Sequence, residues 1–187
     1  MSRLRRIADR DRIFFVTTNL ARAVHTLSPR ERDLVLDQLK RQHTRGDFLL
    51  FGYVVMPEHL HLLLMPLGRG LTGSMHALKR VTAEKLLRRR GCAGPIWQAH
   101  YFDFVLRRVR DFWEKLDYIH DNPVAAGLAK RADQWRWSSA GHYVRAARHR
   151  SPWMQWIYQR PAVHFSGPSR GDNKGLRSRP AEIAAAT

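Results

Sequence analysis

Residues 51–64 constrain the fold of this chain more than any other stretch of its sequence. They form two apolar runs that meet at Pro57, a pattern that predicts two β-strands joined by a tight connection. Because side chains alternate between the two faces of a strand, we expect His59 and His61 on one face and Leu60 buried on the other. Two neutral imidazoles on one face of a rigid strand can bind a divalent metal ion. The alternative is that both histidines are ordinary residues of a polar sheet face.

The other segments predict strands and helices in a definite order. Strands are predicted at residues 12–18 and 101–106. The first helix opens at the capping box Ser28-Pro29-Arg30-Glu31 and ends near Gly46, and the second is capped by Thr72 or Ser74 and ends at Gly91. A third helix opens at a capping box at Asp111 and ends near Pro123. The resulting order, β-α-β-β-α-β followed by a helix, is the ferredoxin-like α+β pattern. We expect an antiparallel four-stranded sheet with helices on one face, His59 and His61 on the open face, and the tyrosine Tyr118 on the added C-terminal helix.

The length of 187 residues is sufficient for one domain with a real core. We place that domain at residues 1–165, because Trp135, Trp137, Trp153 and Trp156 indicate that the chain still packs after the third helix. Residues 166–187 are rich in Gly, Ser, Arg and Pro and are expected to form a flexible basic tail.

The charge of the chain favours a polyanionic partner. It carries 33 Lys and Arg against 16 Asp and Glu, a formal charge of +17, and nucleic acid is the usual partner for such an excess. We expect no membrane association, because no basic amphipathic anchor, no transmembrane span and no apolar signal core is evident. The single cysteine, Cys92, excludes an intramolecular disulfide and a cysteine zinc site, and the cytoplasm is the expected compartment.

The third predicted helix carries a tyrosine outside its core stripe. Phe112, Leu116 and Ile119 are spaced to form the buried face, whereas Tyr118 lies on another face, one turn before Asn122. An amide oxygen can bind a metal ion, and a tyrosine can act as a nucleophile. A helical tyrosine is nevertheless more often a packing residue, and that alternative stays open here.

Several motifs carry a family resemblance that extends from about residue 12 to about residue 165. The stretches concerned are residues 55–61 (Val-Met-Pro-Glu-His-Leu-His), 96–98 (Ile-Trp-Gln), 117–128 (Asp-Tyr-Ile-His-Asp-Asn-Pro-Val-Ala-Ala-Gly-Leu) and 137–139 (Trp-Ser-Ser). In order and spacing, they resemble the REP-associated tyrosine transposases, relatives of the single-tyrosine HUH transposases. The resemblance implies metal ligands at His59, His61 and Asn122, and a nucleophile at Tyr118. Many relatives carry Asn where this chain has Glu58, which leaves a metal role for Glu58 open.

The resemblance implies a metal-dependent endonuclease and strand transferase for single-stranded DNA. It would act at repetitive extragenic palindromic (REP) hairpins through a 5′-phosphotyrosine intermediate, with Mg²⁺ or Mn²⁺ as cofactor. Because free tyrosine has a pKa of about 10, Tyr118 needs activation, by the metal, by Glu114 or by water. We also expect a monomer in which Tyr118 serves the histidines of its own chain, because the connection at residues 107–110 is short.

The predicted DNA contacts are basic and polar residues distributed along the chain. Asn19 and Arg22 follow the first strand and are expected to face the DNA. Trp97 either stacks on a base or is buried. The expected phosphate contacts are Arg5, Arg6, Lys79, Arg80, Arg107 and Arg108.

Two other classes of protein remain as alternatives. A non-catalytic nucleic-acid-binding module of the RNA-recognition-motif type has the same strand order, but it stacks bases on aromatic residues of its central strands. A phosphodiesterase with paired His-x-Thr/Ser motifs would use water as its nucleophile and would have no need of Tyr118. A covalent protein–DNA adduct would distinguish the transposase-like enzyme from both.

Overall fold

The computed structural model of the chain describes residues 12–24 and 26–149. The predictions for Arg5, Arg6, Trp153, Trp156 and the tail at residues 166–187 lie outside these described residues.

The described residues form a four-stranded sheet flanked by helices. The elements are β1 (Phe14–Asn19), α1 (Pro29–Thr44), β2 (Phe48–Val55), β3 (His59–Pro66), α2 (Gly70–Arg90), β4 (Phe102–Val105), α3 (Val109–Ala125), a short 3-10 helix (Ala132–Gln134) and α4 (Ala140–His149). The strand order is β2-β3-β1-β4, and each neighbouring pair is antiparallel. This confirms the predicted ferredoxin-like α+β fold.

The histidine face of the sheet is partly covered by a helix, which corrects the expectation of an open face. Leu60, Leu62 and Leu64 of β3 are fully buried on one face, where α1 and α2 pack. The opposite face, which carries His59 and His61, is partly covered by α3 against β2 and β3. The apolar stripe of α3 needs an apolar surface to bury, and the sheet provides it.

A glycine in β2 permits the close approach of α3. A Cβ atom at Gly52 would lie 2.6 Å from Leu116 Cδ1 and 3.8 Å from Ile119 Cδ1. The β2–β3 register also shifts between Leu50 and Gly52, as in a β-bulge. Gly52 therefore determines how near the tyrosine-bearing helix lies to the sheet.

Two helices begin earlier than their sequence signals predicted. Helix α2 begins at Gly70 and not after Thr72 or Ser74, because the hydroxyl of Ser74 is buried and donates to the Asp47 carbonyl at 3.2 Å. Helix α3 begins at Val109, so Asp111 lies inside its first turn and is not its N-cap. There its Oδ2 accepts the backbone N–H groups of Arg107 and Arg108 at 3.2 and 3.1 Å.

The predicted helix ends agree closely with the structure. Helix α2 ends before Gly91, which has the left-handed φ of 63° expected of a C-terminal glycine. Helix α3 continues two residues past Pro123, to Ala125. The Pro123 carbonyl accepts the N–H groups of Leu128 at 2.8 Å and Ala129 at 3.2 Å, which satisfies an acceptor at the C-terminal end of the helix.

The Trp-rich segment after α3 packs on the free edge of β2, as expected. Val55 N–H donates to the Trp137 carbonyl at 2.9 Å, and the Trp135 indole N–H donates to the Val55 carbonyl at 3.2 Å. The Arg32 guanidinium of α1 lies 4.0 Å from the Trp137 ring centre. This segment therefore connects α1, the sheet and the chain beyond α3.

Candidate active site

Four predicted site residues come together where α3 crosses the histidine face of β3. Asn122 Oδ1 lies 3.2 Å from His59 Nε2, and Asn122 Nδ2 lies 3.5 Å from His61 Nε2. The His59 and His61 rings are 4.5 Å apart between centroids, and the His61 and Tyr118 rings are 5.3 Å apart. One strand and one helix thus supply both imidazoles, the amide and the phenol to a single small site.

His61 is held rigidly by two residues of β1 that sequence reasoning missed. Thr17 Oγ1 lies 2.8 Å from His61 Nδ1, and the Phe15 ring stacks on the imidazole at 5.4 Å. Because Thr17 occupies Nδ1, Nε2 is the nitrogen that faces Asn122. The only signal for this pair is the antiparallel register that places Thr17 opposite His61.

Both imidazoles are neutral near pH 7. Burial lowers the pKa of His61 to about 3, and repulsion from His59, when His59 is protonated, and from the Lys115 ammonium acts in the same direction. Burial also lowers the pKa of His59, against the opposing effects of its hydrogen bond to Asn122 and of the exposed carboxylate of Glu58. The neutral ring is the form of histidine that binds metal ions.

The donor set fits a divalent cation that shares its coordination with substrate. Two imidazole nitrogens and one amide oxygen converge, and no group of three or more His, Cys, Asp or Glu side chains that could hold a metal occurs among the described residues. Further coordination positions would fall to phosphate oxygens or water, and imidazole ligands favour Mn²⁺ over Mg²⁺. The metal role of His59, His61 and Asn122 stays a prediction.

Tyr118 is half-exposed and restrained at the same time. Its ring packs edge-on against Phe15 at 5.8 Å and against His61, yet 48% of the residue is accessible. A packing residue of the core would be buried, whereas a nucleophile must be reachable by its substrate. Glu114, considered as a base for Tyr118, is exposed and pairs with Arg110 at 3.2 Å.

Lys115 is a residue of this site that sequence reasoning missed. It lies one turn before Tyr118, and its ammonium is 5.1 Å from the Phe15 ring centre and 6.0 Å from that of Tyr118. No carboxylate in the described part of the chain pairs with it. The spacing of three residues from Tyr118 was the available signal, since such residues share a helix face.

Four other predicted DNA contacts are exposed to solvent. Asn19 is exposed and lies directly opposite His59 in the β1–β3 pair, and Arg22 is exposed in the turn that follows. Arg107 and Arg108 are exposed at the start of α3. Their roles in DNA binding stay predictions.

Three predicted contacts of α2 and its neighbouring loop have other partners. The Lys79 ammonium donates to the carbonyls of Gln98 and Ala99 at 2.6 and 3.0 Å, so it holds this loop against α2. Arg80 is exposed and pairs with Glu84 at 2.6 Å. Trp97 is buried and donates to Thr82 Oγ1 at 2.9 Å, which makes the base-stacking alternative for Trp97 wrong.

His120 fastens the tyrosine helix to the sheet of its own chain. The buried His120 Nε2 lies 2.8 Å from Ser139 Oγ, which also accepts the Tyr53 N–H at 3.0 Å. Tyr53 belongs to β2 and Ser139 to the segment on its edge. This link, two residues from Tyr118, connects the helix to strand β2.

We expect Ser139→Ala to lower the free energy of unfolding by about 1–3 kcal/mol, because the Tyr53 N–H and His120 lose a buried partner. Urea denaturation followed by circular dichroism measures the change. Thr44→Ala is the matched control: it removes an exposed hydroxyl and should change stability by less than about 0.5 kcal/mol. Equal stabilities of the two variants would show that the link contributes nothing.

We expect the stability to fall on acidification between pH 6.5 and pH 4. Burial lowers the pKa of His120 from 6.5 to about 4, so in this window the unfolded chain takes up a proton that the folded chain does not. Within this window, His120 alone changes the free energy of unfolding by about 1.4 kcal/mol per pH unit. Above pH 6.5 its ring is neutral in both the folded and the unfolded chain, so it adds no further pH dependence. Unfolding free energies measured across this range should show a shallower slope for His120→Gln, and an unchanged slope would contradict the assignment.

Sequence comparison with known proteins identifies two similar proteins. No protein-family model matches the chain. A REP-associated tyrosine transposase of Escherichia coli (strain K12) is 25% identical over 140 residues, which are 74% of this chain and 82% of the relative. A protein of Haemophilus influenzae (strain ATCC 51907 / DSM 11121 / KW20 / Rd) is 26% identical over 110 residues, 53% of this chain and 62% of its own length. The chain resembles the REP-associated tyrosine transposases.

The fold also has a match among solved structures. The solved structure of a REP-associated tyrosine transposase bound to a REP hairpin matches with a TM-score of 0.60 and 24% identity, covering 88% of this chain and 94% of that one. The resemblance to the REP-associated tyrosine transposases that the motifs at residues 55–61 and 117–128 indicated is therefore confirmed. Among the described residues, no helix is long and apolar enough to cross a membrane.

Proposed function

We propose that this chain is an endonuclease and strand transferase for single-stranded DNA, and that it acts at REP hairpins through a covalent link to Tyr118. The observation that carries the proposal is the convergence of Tyr118, His59, His61 and Asn122 in one partly buried site. The hairpin substrate rests on the E. coli relative and on the hairpin-bound protein with a similar fold.

In the proposed reaction, the Tyr118 oxygen attacks the phosphorus of the scissile phosphodiester. A bond forms between that oxygen and phosphorus, and the bond from phosphorus to the 3′ oxygen breaks. The Tyr118 hydroxyl loses its proton to water or a neighbouring base, and the departing 3′ oxygen gains one. Because one phosphodiester replaces another, a second 3′-hydroxyl can reverse the step and join strands without ATP.

The residues around Tyr118 have separate tasks in this proposal. His59, His61 and Asn122 would hold Mg²⁺ or Mn²⁺, and a bound divalent ion supplies charge neutralisation at the scissile phosphate. Thr17 and Phe15 keep the His61 ring in place. The Lys115 ammonium adds a positive charge beside Tyr118, where a phosphate would have to approach.

The chain as a whole suits a polyanionic strand. The formal charge of +17 attracts DNA over a distance, and Arg22, Arg107 and Arg108 are exposed to solvent. Such residues position the strand by its phosphates and carry little sequence information.

We propose that the protein acts as a monomer in which Tyr118 serves His59 and His61 of the same chain. Helix α3 is joined to strand β2 by the His120–Ser139–Tyr53 link, and it lies close to the sheet at Gly52. Exchange of this helix between two chains would break these buried contacts or re-form them between copies.

A non-catalytic binder of the RNA-recognition-motif type is less well supported. Such a module needs accessible aromatic rings on its central strands, here β1 and β3. On the face in question, β1 contributes Phe15, which is buried, and β3 contributes two histidines.

A covalent adduct tests the proposed function directly. The full chain is incubated with Mn²⁺ and 5′- or 3′-labelled single strands that carry hairpins from genomic repeats flanking its gene. We expect a protein–DNA adduct that survives denaturing electrophoresis and retains the label of the fragment 3′ to the cut, because Tyr118 keeps the 5′ phosphate. Binding without an adduct would indicate a non-catalytic binder, and cleavage without an adduct would indicate a hydrolase. Either result would overturn the proposal.

A further inference from the structure

The edge strand β4 presents two accessible phenylalanines beside the candidate site. Phe102 is 58% exposed and Phe104 is 42% exposed, and both belong to a short strand that pairs with β1. Single exposed apolar residues are common on proteins, whereas adjacent exposed apolar side chains can mark a binding surface.

The strand register places both rings on the histidine face of the sheet. Phe102 lies opposite Thr17, which in turn lies opposite His61. Phe104 lies opposite Phe15, whose ring contacts both His61 and Tyr118. Directly opposed residues of antiparallel strands project to the same side, so the two rings continue the surface of the candidate site toward the edge.

This surface is aromatic and positively charged together. The Lys115 ammonium lies 5.6 Å from the centre of the Phe104 ring and 6.0 Å from that of Tyr118, so it stands between them. Arg107 and Arg108, both exposed, follow within a few residues of the strand. The one acidic residue of β4, Asp103, pairs with Val16 and therefore projects to the opposite face.

We propose that Phe102 and Phe104 form a stacking platform for bases of the single strand next to the scissile phosphate. Lys115 contacts a phosphate of the nucleotides between this platform and Tyr118. The inference rests on the proposed function, because that function places DNA at Tyr118. The charge around the rings favours nucleic acid over a second copy of this chain, whose +17 would be repelled.

The platform explains how the site can select single strands. An unpaired base can leave its neighbours and stack on a phenylalanine, whereas a base in a duplex must first be unpaired. Every base has a stacking face, so the platform orients the strand without reading its sequence. Sequence recognition would then come from other parts of the complex, such as the hairpin.

The platform is tested by combining substitutions of Phe102 or Phe104 in the protein with removal of single bases from the DNA. The DNA is a hairpin-bearing single strand in which each nucleotide around the cleavage point is replaced in turn by an abasic residue. Binding is measured by fluorescence anisotropy in a Tyr118→Phe background, which prevents turnover, with Phe102→Leu, Phe104→Leu and the two Phe→Tyr variants. Leucine keeps the apolar character of each position and tyrosine keeps the ring.

We expect one or two abasic positions to weaken binding by roughly five- to a hundredfold when both rings are present. In the matching leucine variant, the same abasic change should have little further effect, and tyrosine should restore the coupling. The platform would be overturned if, at every position, the loss of binding caused by the abasic residue were the same with and without the phenylalanine ring. Sedimentation that shows a dimer dissociated by the leucine variants would also overturn it, because the rings would then belong to an interface between copies.

The proposed contact between Lys115 and a DNA phosphate is tested in the same way, with single phosphates replaced by uncharged groups. Replacing single phosphates by methylphosphonates should weaken binding at one linkage severalfold, and Lys115→Gln should abolish that sensitivity while Lys115→Arg retains it. Lys40→Gln, an equal loss of charge on α1 across the sheet, should leave the sensitivity unchanged. Sensitivity that persists in Lys115→Gln would remove Lys115 from the inference.

The outcomes separate this inference from the proposed function. If the unmodified chain forms the adduct but binding shows no coupling between a base and Phe102 or Phe104, the platform is overturned and the proposed enzymatic function stands. Coupling without any adduct from the unmodified chain would support the platform and overturn the enzyme.

Discussion

Replacing Tyr118 by Phe should abolish the covalent adduct and reduce strand cleavage by at least about 10³-fold, because the variant lacks the oxygen that forms the proposed phosphotyrosine bond. The ring itself remains, so its edge-on contacts with Phe15 and His61 and the fold should persist. DNA binding should change by less than about threefold, since binding depends on phosphate and base contacts that the substitution leaves in place. Denaturing electrophoresis measures the adduct, and anisotropy measures the binding.

The matched control is Tyr101→Phe, which removes a phenolic oxygen from a tyrosine next to β4 and outside the candidate site. It should retain the adduct. A normal adduct from Tyr118→Phe would show that another residue is the nucleophile.

Mixing Tyr118→Phe with His59→Ala tests the arrangement within one chain. Since α3 is joined to β2 through His120 and Ser139, neither variant should complement the other, and the mixture should remain inactive. Restored cleavage would show that two chains share the site and would contradict the proposal that the protein acts as a monomer.

The second large effect is expected at the histidines. His59→Ala and His61→Ala should each lower metal-dependent cleavage by about 10²-fold or more, and Asn122→Ala should lower it less, because a neutral amide is the weaker ligand. Mn²⁺ should support cleavage at least as well as Mg²⁺. His76→Ala, which removes an exposed imidazole on α2, is the matched control and should retain full activity.

A binding measurement separates loss of metal from loss of fold. His61 is buried against Phe15 and Thr17, so His61→Ala should also lower the unfolding temperature, whereas the more accessible His59→Ala should do so less. Calorimetric titration of Mn²⁺ into the protein–DNA complex should lose its heat signal in both variants. Full cleavage in excess EDTA, or unchanged Mn²⁺ binding by both variants, would contradict the metal role.

The sequence alone was sufficient for the features that depend on local pattern. The alternation at residues 59–61 predicted two imidazoles on one face and a buried Leu60, and the structure has this arrangement. The spacing of Phe112, Leu116 and Ile119 separated Tyr118 from the core stripe, and these three are buried while Tyr118 is half-exposed. Periodicity works here because each pattern needs only neighbours on the same strand or helix.

Where a local signal competed with a tertiary partner, the tertiary partner decided. Ser74 is a good capping residue by type, but its buried hydroxyl found the Asp47 carbonyl and the helix began at Gly70. Trp97 could have served stacking, but Thr82 accepts its N–H in the core. A buried polar group left without a partner costs about 1–3 kcal/mol, whereas a capping residue typically contributes about 1 kcal/mol.

The sequence by itself determined the order of the elements and the identity of His59, His61, Tyr118 and Asn122 as the chemically distinctive residues. Only the tertiary structure decided that α3 would cover the histidine face and that Thr17 would hold His61. It also placed Lys115 near Tyr118 and put Phe102 and Phe104 opposite Thr17 and Phe15. The physical reason is that strand register and helix docking join residues far apart in the chain. They are set by the burial of complementary surfaces, which no local pattern of residues records.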